Sequence, residues 1–118
     1  MLAKNELIQY AFFEIADKPE LEQEETFIYT GEGDQTEVIC IVHSSPKAEV
    51  TWYKDGGPID SSSGFIMNQR GNRHTLTIPS VDSSKFGRYS CRAQNAYGED
   101  QKTTEVSGKT NTTKKSSM

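Results

Sequence analysis

The side chains of this 118-residue chain that could carry chemistry include two histidines and two cysteines. A catalytic site needs a nucleophile with a base, a pair of carboxylates, or a metal cluster. His43 lies at the end of one predicted strand with outward parity, His74 opens another, and nothing in the sequence brings a third ligand to them. We therefore interpret both as solvated strand-end residues, and we predict no metal site, no cofactor and no enzymatic activity.

The two cysteines, Cys40 and Cys91, each fall on the inward parity of a predicted apolar strand. Buried cysteines are structural rather than catalytic, because reactivity depends on an accessible thiolate. If the two pair, the bond closes a loop of about 50 residues and stabilises the fold by roughly 4 kcal/mol. A disulfide indicates a secreted or cell-surface protein, whereas two buried thiols would fit a cytosolic domain.

Two short motifs superficially match functional signals. Gly31–Asp34 (Gly-Glu-Gly-Asp) is rich in glycine like a phosphate-binding loop, but it joins two predicted strands and lacks the following helix and lysine. We predict a turn there. Asn111 begins an Asn-Thr-Thr triplet that fits the N-glycosylation acceptor pattern, which has meaning only if the chain is secreted.

Short strands at regular spacing surround these residues and predict an all-β sandwich. The final strands are joined by a predicted turn at 98–100, and a single helical turn is predicted within 82–86. The predicted strands are A (20–24), A′ (27–30), B (36–43), C (49–53), D (65–68), E (74–78), F (from residue 88) and G (101–106).

The chain divides into three predicted parts: an N-terminal segment at 1–18, one β domain at 19–106, and a disordered Ser/Thr/Lys tail at 107–118. The first part could form a short helix or a ragged strand, and low order is the simplest interpretation. The net charge of −4 without a basic stripe argues against nucleic acid as a partner. No run approaches the roughly 20 apolar residues that cross a bilayer, and we see no export signal or anchor. We expect no membrane insertion by this chain.

Three motifs together resemble the I-set class of immunoglobulin domains. They are Trp52–Gly56 (Trp-Tyr-Lys-Asp-Gly), Leu76–Ile78 (Leu-Thr-Ile), and Tyr89–Gly98, in which Tyr, Cys, Ala and Asn alternate with other residues before the glycine. The resemblance covers about residues 19–106. It implies an immunoglobulin-like β-sandwich of two antiparallel sheets, ordered A-B-E-D and A′-G-F-C.

The resemblance also implies that a Cys40–Cys91 disulfide joins the sheets and that Trp52, Leu76 and Tyr89 form the core signature. One position departs from the family pattern, because Lys85 stands where an aspartate usually precedes strand F. We expect a small loss of stability from the missing ion pair, and we expect the Tyr89 corner hydrogen bond to form all the same.

More narrowly, Asp17–Glu20 and Phe86–Cys91 resemble the third domain of insect neural adhesion proteins of the lachesin, amalgam and klingon group and of their vertebrate IgLON relatives. That resemblance implies a module of a longer cell-surface glycoprotein in neural adhesion. Its partners would be homophilic or heterophilic surface proteins, or adjacent immunoglobulin domains. The alternatives are an intracellular muscle scaffold with reduced cysteines and a free-standing secreted binding protein.

Strand parity gives two candidate contact surfaces. Ile39 and Ile41 point out of the A-B-E-D sheet, where two β-branched residues could form an apolar patch unless strand A or the N-terminal segment covers them. Tyr53, Arg92 and Gln94 project from strands C and F, and tyrosine and arginine are enriched in interface hot spots. Single exposed residues of these types are common, so an ordinary solvated face is the simpler interpretation.

Overall fold

The computed structural model describes residues 16–108, which form nine strands and two single-turn 3₁₀ helices, at Ser61–Ser63 and Ser83–Lys85. No helix in this part of the chain is long and apolar enough to cross a bilayer. The strands are β1 (Asp17–Gln23), β2 (Phe27–Thr30), β3 (Thr36–Ser45), β4 (Glu49–Lys54), β5 (Gly57–Pro58), β6 (Ile66–Arg70), β7 (Arg73–Ile78), β8 (Gly87–Asn95) and β9 (Gly98–Gly108).

The strands form two packed sheets, ordered β1-β3-β7-β6 and β2-β9-β8-β4-β5. These orders confirm the predicted A-B-E-D and A′-G-F-C sheets, and the two-residue β5 adds a short C′ strand. The pair β2–β9 is parallel, whereas the other pairs are antiparallel. The first strand therefore divides between the two sheets.

The Gln23 side chain fixes the point where the chain changes sheet. Its Nε2 donates to the carbonyl oxygens of Thr103, at 2.6 Å, and Glu25, at 3.2 Å. The Thr104 hydroxyl also donates to the Glu25 carbonyl, at 2.8 Å. These bonds attach the segment between β1 and β2 to β9, and they satisfy backbone groups that no ladder pairs there.

The core lies between the sheets because inward residues alternate with outward ones on β3 and β8. A disulfide joins Cys40 to Cys91 with their Cα atoms 6.6 Å apart, and Trp52 lies opposite Cys91 in the β4–β8 register. The predicted disulfide-linked sandwich is thus confirmed. The buried apolar residues are Leu21, Val38, Cys40, Val42, Trp52, Leu76, Ile78, Val81, Tyr89, Cys91, Ala93 and Val106.

The turn between β8 and β9 was predicted in the wrong place. It lies at residues 96–97, and Gly98 to Asp100 belong to β9. The Asn95 side chain explains the position, because its Oδ1 accepts from the Tyr97 backbone N–H at 2.8 Å and turns the chain there. The glycine on which the prediction rested begins the strand instead.

Several strand ends also extend past the predicted limits, those of β1 and β9 among them. β1 begins at Asp17, with Pro19 buried at an irregular register between Asp17 and Glu20, and β9 continues to Gly108. The predicted helix or strand before residue 16, the tail from residue 109, and Asn111 lie outside the described residues.

Candidate functional site

The two histidines lie apart in the structure, on different faces. His43 is exposed on β3, and its Nε2 lies 3.4 Å from Glu22 Oε2. His74, on β7, lines a cleft with Trp52 and Met67. Burial, aided by the nearby charge of Lys47, lowers the pKa of His74. Within residues 16–108 no group of three or more His, Cys, Asp or Glu side chains could hold a metal ion.

Gly31–Asp34 forms a turn that is bonded to the rest of the sandwich. Asp34 Oδ2 accepts from the Gly31 N–H at 3.1 Å, and backbone bonds join Gly33 and Asp34 to Val81. The amide groups that would cradle a phosphate are therefore engaged within the protein. The turn positions the strands β2 and β3.

The outer face of the five-stranded sheet brings Tyr53 and Arg92 together. The Arg92 guanidinium lies 3.5 Å from the Tyr53 hydroxyl, and both its Nε and its Nη2 donate to the carboxylate of Glu99 across the β8–β9 turn. The Glu99 bond, with the Tyr53 contact, raises the pKa of Arg92. Gln94 is exposed on the same face. The result is a polar cluster whose arginine is held in one orientation.

The opposite sheet does not present the predicted apolar patch as an open surface. Ile39 and Ile41 are both half-buried on β3. Ile41 lies in register between Glu22 on β1 and Arg73 on β7, so polar side chains flank it. Side chains of the two neighbouring strands thus flank Ile41 within its own sheet.

A carboxylate organises the lower corner of the sandwich. Asp55, in the β4–β5 turn, accepts from the Arg88 backbone N–H at 3.0 Å and from the Lys54 ammonium at 2.9 Å. These bonds, the Arg88 one foremost, hold the pKa of Asp55 below its ordinary range. Tyr89 donates its hydroxyl to the Lys85 carbonyl at 2.5 Å, so the expected corner bond forms despite Lys85. Burial raises the pKa of Tyr89.

Two polar side chains at the upper end of the sandwich form hydrogen bonds that the sequence did not predict. Asn95 Nδ2 donates to the carbonyl oxygens of Asp17, at 2.9 Å, and Pro46, at 3.0 Å. Asp100 accepts from the backbone N–H groups of Leu21 and Gln101, both at 2.9 Å. Burial alone would raise the pKa of Asp100, but these two bonds, together with the charges of Lys102 and Lys18, lower the pKa. The signal for Asn95 was its place directly before the turn, where asparagine commonly bonds the backbone.

The comparison with protein families supplies the decisive observation. The model of the immunoglobulin I-set domain matches residues 19–107. This chain belongs to the immunoglobulin I-set family. I-set domains are typically non-catalytic modules, in keeping with the structural roles of the residues described above.

The I-set relatives include both muscle and adhesion proteins. Myopalladin from Mus musculus is 39% identical over 75 residues, which are 64% of this chain and 6% of myopalladin. Neural cell adhesion molecule 1 from Homo sapiens is 30% identical over 94 residues, 78% of this chain and 11% of that protein. This I-set domain therefore spans a small fraction of the curated relatives that it matches.

Solved structures give the same fold. The titin domains z1z2 in complex with telethonin superpose with a TM-score of 0.74 at 30% identity, covering 80% of this chain and 49% of that one. The M4 domain of titin, at 24% identity, superposes with a TM-score of 0.72 over 80% of this chain and 98% of its own. Both superpositions thus show the same sandwich fold.

Proposed function

We propose that this I-set domain is a non-catalytic module of a longer cell-surface or secreted protein, in which it makes or spaces protein–protein contacts. The observation that carries the proposal is the disulfide between Cys40 and Cys91. Disulfides persist in oxidising compartments, and a bond closing 51 residues contributes about 4 kcal/mol. The similarity to neural cell adhesion molecule 1 and the lachesin-type motifs favour an adhesion protein of the nervous system.

The contact face that we propose consists of Tyr53, Arg92 and Gln94. Glu99 and Tyr53 hold the Arg92 side chain, so little rotamer entropy remains to be lost when a partner binds. The partner would be another surface protein, a second copy of this chain, or an adjoining immunoglobulin domain. The proposed domain limits, 19–106, leave flanking segments that would connect such neighbours.

A second function is favoured by the muscle relatives, myopalladin and the assembly protein unc-89 of Caenorhabditis elegans, which is 34% identical over 77 residues. In that case the domain is an intracellular scaffold module whose two cysteines are reduced. The two functions differ in measurable properties, namely the state of the two cysteines, the stability of the dithiol form and glycosylation at Asn111.

The first experiment compares the chain made through a secretory pathway with the chain made in a reducing cytosol. Alkylation under denaturing conditions and mass spectrometry count the thiols, and urea unfolding with and without reductant gives the stability of each form. We expect a disulfide in the secreted chain, a loss of about 4 kcal/mol on reduction, and a glycan that Asn111→Gln removes. Two free thiols after secretion, or equal stability of both forms, would favour the scaffold function.

A second experiment addresses the contact face. Sedimentation of the chain measures self-association, and beads coated with it measure adhesion to cells. We expect the double variant Tyr53→Ala/Gln94→Ala to weaken contact, whereas Asn68→Ala, exposed on β6 of the opposite sheet, leaves it unchanged. A strictly monomeric, non-adherent chain would limit the domain to a spacer role.

A further inference from the structure

The change of sheet between β1 and β2 leaves two strand edges unpaired among residues 16–108. β1 follows β3 only as far as Gln23, opposite Cys40, so residues 36–39 of β3 pair on one side alone, with β7. β2 is the outermost strand of its own sheet. The space between these edges is a surface cleft, which we call the A′–B cleft.

The lining of the A′–B cleft combines apolar side chains with carboxylates. Ile28 and Ile39 contribute half-buried apolar surface, and Glu24, Glu25 and Glu37 contribute exposed carboxylates. No lysine or arginine of the described chain lines the cleft. Arg73 forms an ion pair at the rim of the cleft, with its Nη1 3.0 Å from Glu24 Oε2, whereas Glu25 and Glu37 form no ion pair among the described residues.

The backbone of β2 has hydrogen-bonding groups that face away from its neighbour. The Thr26 carbonyl accepts from the Glu105 N–H at 2.9 Å, in a parallel ladder. Because the backbone groups of successive residues point to opposite sides, those of Phe27 and Tyr29 face the unpaired edge. Such groups are a template for pairing with another extended chain.

Two exposed aromatic rings accompany that edge. Phe27 is 53% exposed and Tyr29 is 59% exposed. Their rings stack on each other, with centroids 6.2 Å apart and planes 8° from parallel. Large exposed aromatic side chains beside an unpaired edge offer contact area to the side chains of an added strand.

The charge around β2 selects the kind of chain that can be added. Residues 20–37 carry seven carboxylates and no lysine, arginine or histidine; the carboxylates are Glu20, Glu22, Glu24, Glu25, Glu32, Asp34 and Glu37. A second copy paired through β2 would bring acidic flanks against acidic flanks, which is repulsive. A segment with basic residues at both ends would be attracted instead.

We propose that the A′–B cleft binds an extended segment of a partner protein, in which Lys or Arg residues flank a short β-branched core, by strand addition to β2. The basic ends lie against Glu25 and Glu37, and the core pairs with Phe27 and Tyr29. This surface is separate from the Tyr53–Arg92 face, and its role is the same in a surface protein and in an intracellular scaffold.

The test uses the full chain and a fluorescent peptide, Lys-Lys-Val-Thr-Val-Thr-Lys-Lys. Anisotropy gives the affinity, and hydrogen exchange followed by NMR reports on individual amides. We expect saturable binding that weakens at high salt, together with slowed exchange at the Phe27 and Tyr29 amides. Peptides with Glu in place of Lys, or with Pro in place of Val, bind at least about tenfold more weakly.

Charge reversal in the cleft supplies the matched comparison. Glu25→Lys/Glu37→Lys is expected to weaken binding about tenfold or more, whereas Glu49→Lys, exposed on the distant β4, changes it little. Thermal unfolding of each variant verifies folding. The neutral variant Glu25→Gln/Glu37→Gln is expected to weaken peptide binding as well, but by a smaller factor.

Several results would overturn the proposal. Equal binding of the Glu-containing peptide, or equal binding by the charge-reversed variant, would remove the electrostatic basis. Protection of the Phe27 and Tyr29 amides in the free chain would mean that residues outside 16–108, or a second copy, already occupy the edge. Binding without any change at those two amides would exclude strand addition.

Discussion

Gly87 is a residue whose lack of a side chain determines the geometry of a corner. Its φ is +149°, and a Cβ there would lie 2.7 Å from Asp55 Oδ2. Asp55 cannot move away without losing its bond from the Arg88 N–H. We expect Gly87→Ala to lower the free energy of unfolding by about 2 kcal/mol or more, measured by urea denaturation.

Gly33 provides the control for that prediction, because it also has a positive φ, +88°, but a Cβ there would meet nothing within 4 Å. Gly33→Ala should therefore show the cost of backbone strain alone, about 1 kcal/mol. Equal losses in the two variants would contradict a specific conflict between Gly87 and Asp55.

His74 makes stability depend on pH. Burial lowers the pKa of His74 in the folded chain, so below its ordinary value of 6.5 the unfolded chain binds more protons. Stability must then fall as the pH drops from 6.5 through the folded pKa. We expect the urea midpoint to decrease as the pH is lowered from about 7.5 to 5.5. The variant His74→Gln should make the midpoint depend less steeply on pH. A His74→Gln variant that kept the full slope would refute the assignment.

At the scale of elements, Asn95 joins three segments at the upper end of the sandwich. Its amide binds Asp17 on β1, Pro46 in the β3–β4 connection, and Tyr97 in the turn that follows. We expect Asn95→Ala to cost about 1–3 kcal/mol and to speed amide exchange at the start of β1, measured by NMR. Asn68→Ala, at an exposed position on β6, is the control. No change in β1 exchange would contradict the linking role.

The strands were predictable because alternation of apolar and polar residues is a local property of the sequence. The β8–β9 turn was not, because the prediction relied on glycine as a turn former. Gly98 serves a different need: a Cβ there would lie 3.0 Å from the Cβ of Lys18, a contact between distant parts of the chain. Only the folded arrangement shows that the two backbones approach so closely.

The outward orientation of the side chains on the candidate contact face could be predicted, but their hydrogen bonds could not. Parity indicated that Tyr53, Arg92 and Gln94 point outward, because side chains alternate along a strand. The bond from Arg92 to Glu99 depends on the register across a turn, which residue spacing does not specify. Likewise, the unpaired edge of β2 depends on where Gln23 moves the chain between sheets.

At the scale of the whole molecule, one core and one disulfide make the sheets interdependent. Trp52 is the single tryptophan and is buried between them, so its fluorescence reports on their packing. We expect unfolding curves from tryptophan fluorescence and from far-UV circular dichroism to coincide, as in a two-state transition. Separate midpoints would mean that one sheet unfolds before the other. Glu32→Ala, a change of an exposed side chain in the turn between β2 and β3, should leave both curves in place.

The parallel pairing of β2 with β9 determines how the domain bears tension. β2 lies near the N-terminal end of the described chain and β9 at its C-terminal end, and the two run side by side in the same direction. A pull applied through Asp17 and Gly108 therefore acts along the strands and loads their hydrogen bonds in shear, all at once. Beyond that ladder, the Cys40–Cys91 bond keeps the segment between the two cysteines, whose sequence separation is 51, from extending. Under load the domain should therefore unfold with an extension much shorter than the full contour length of its chain.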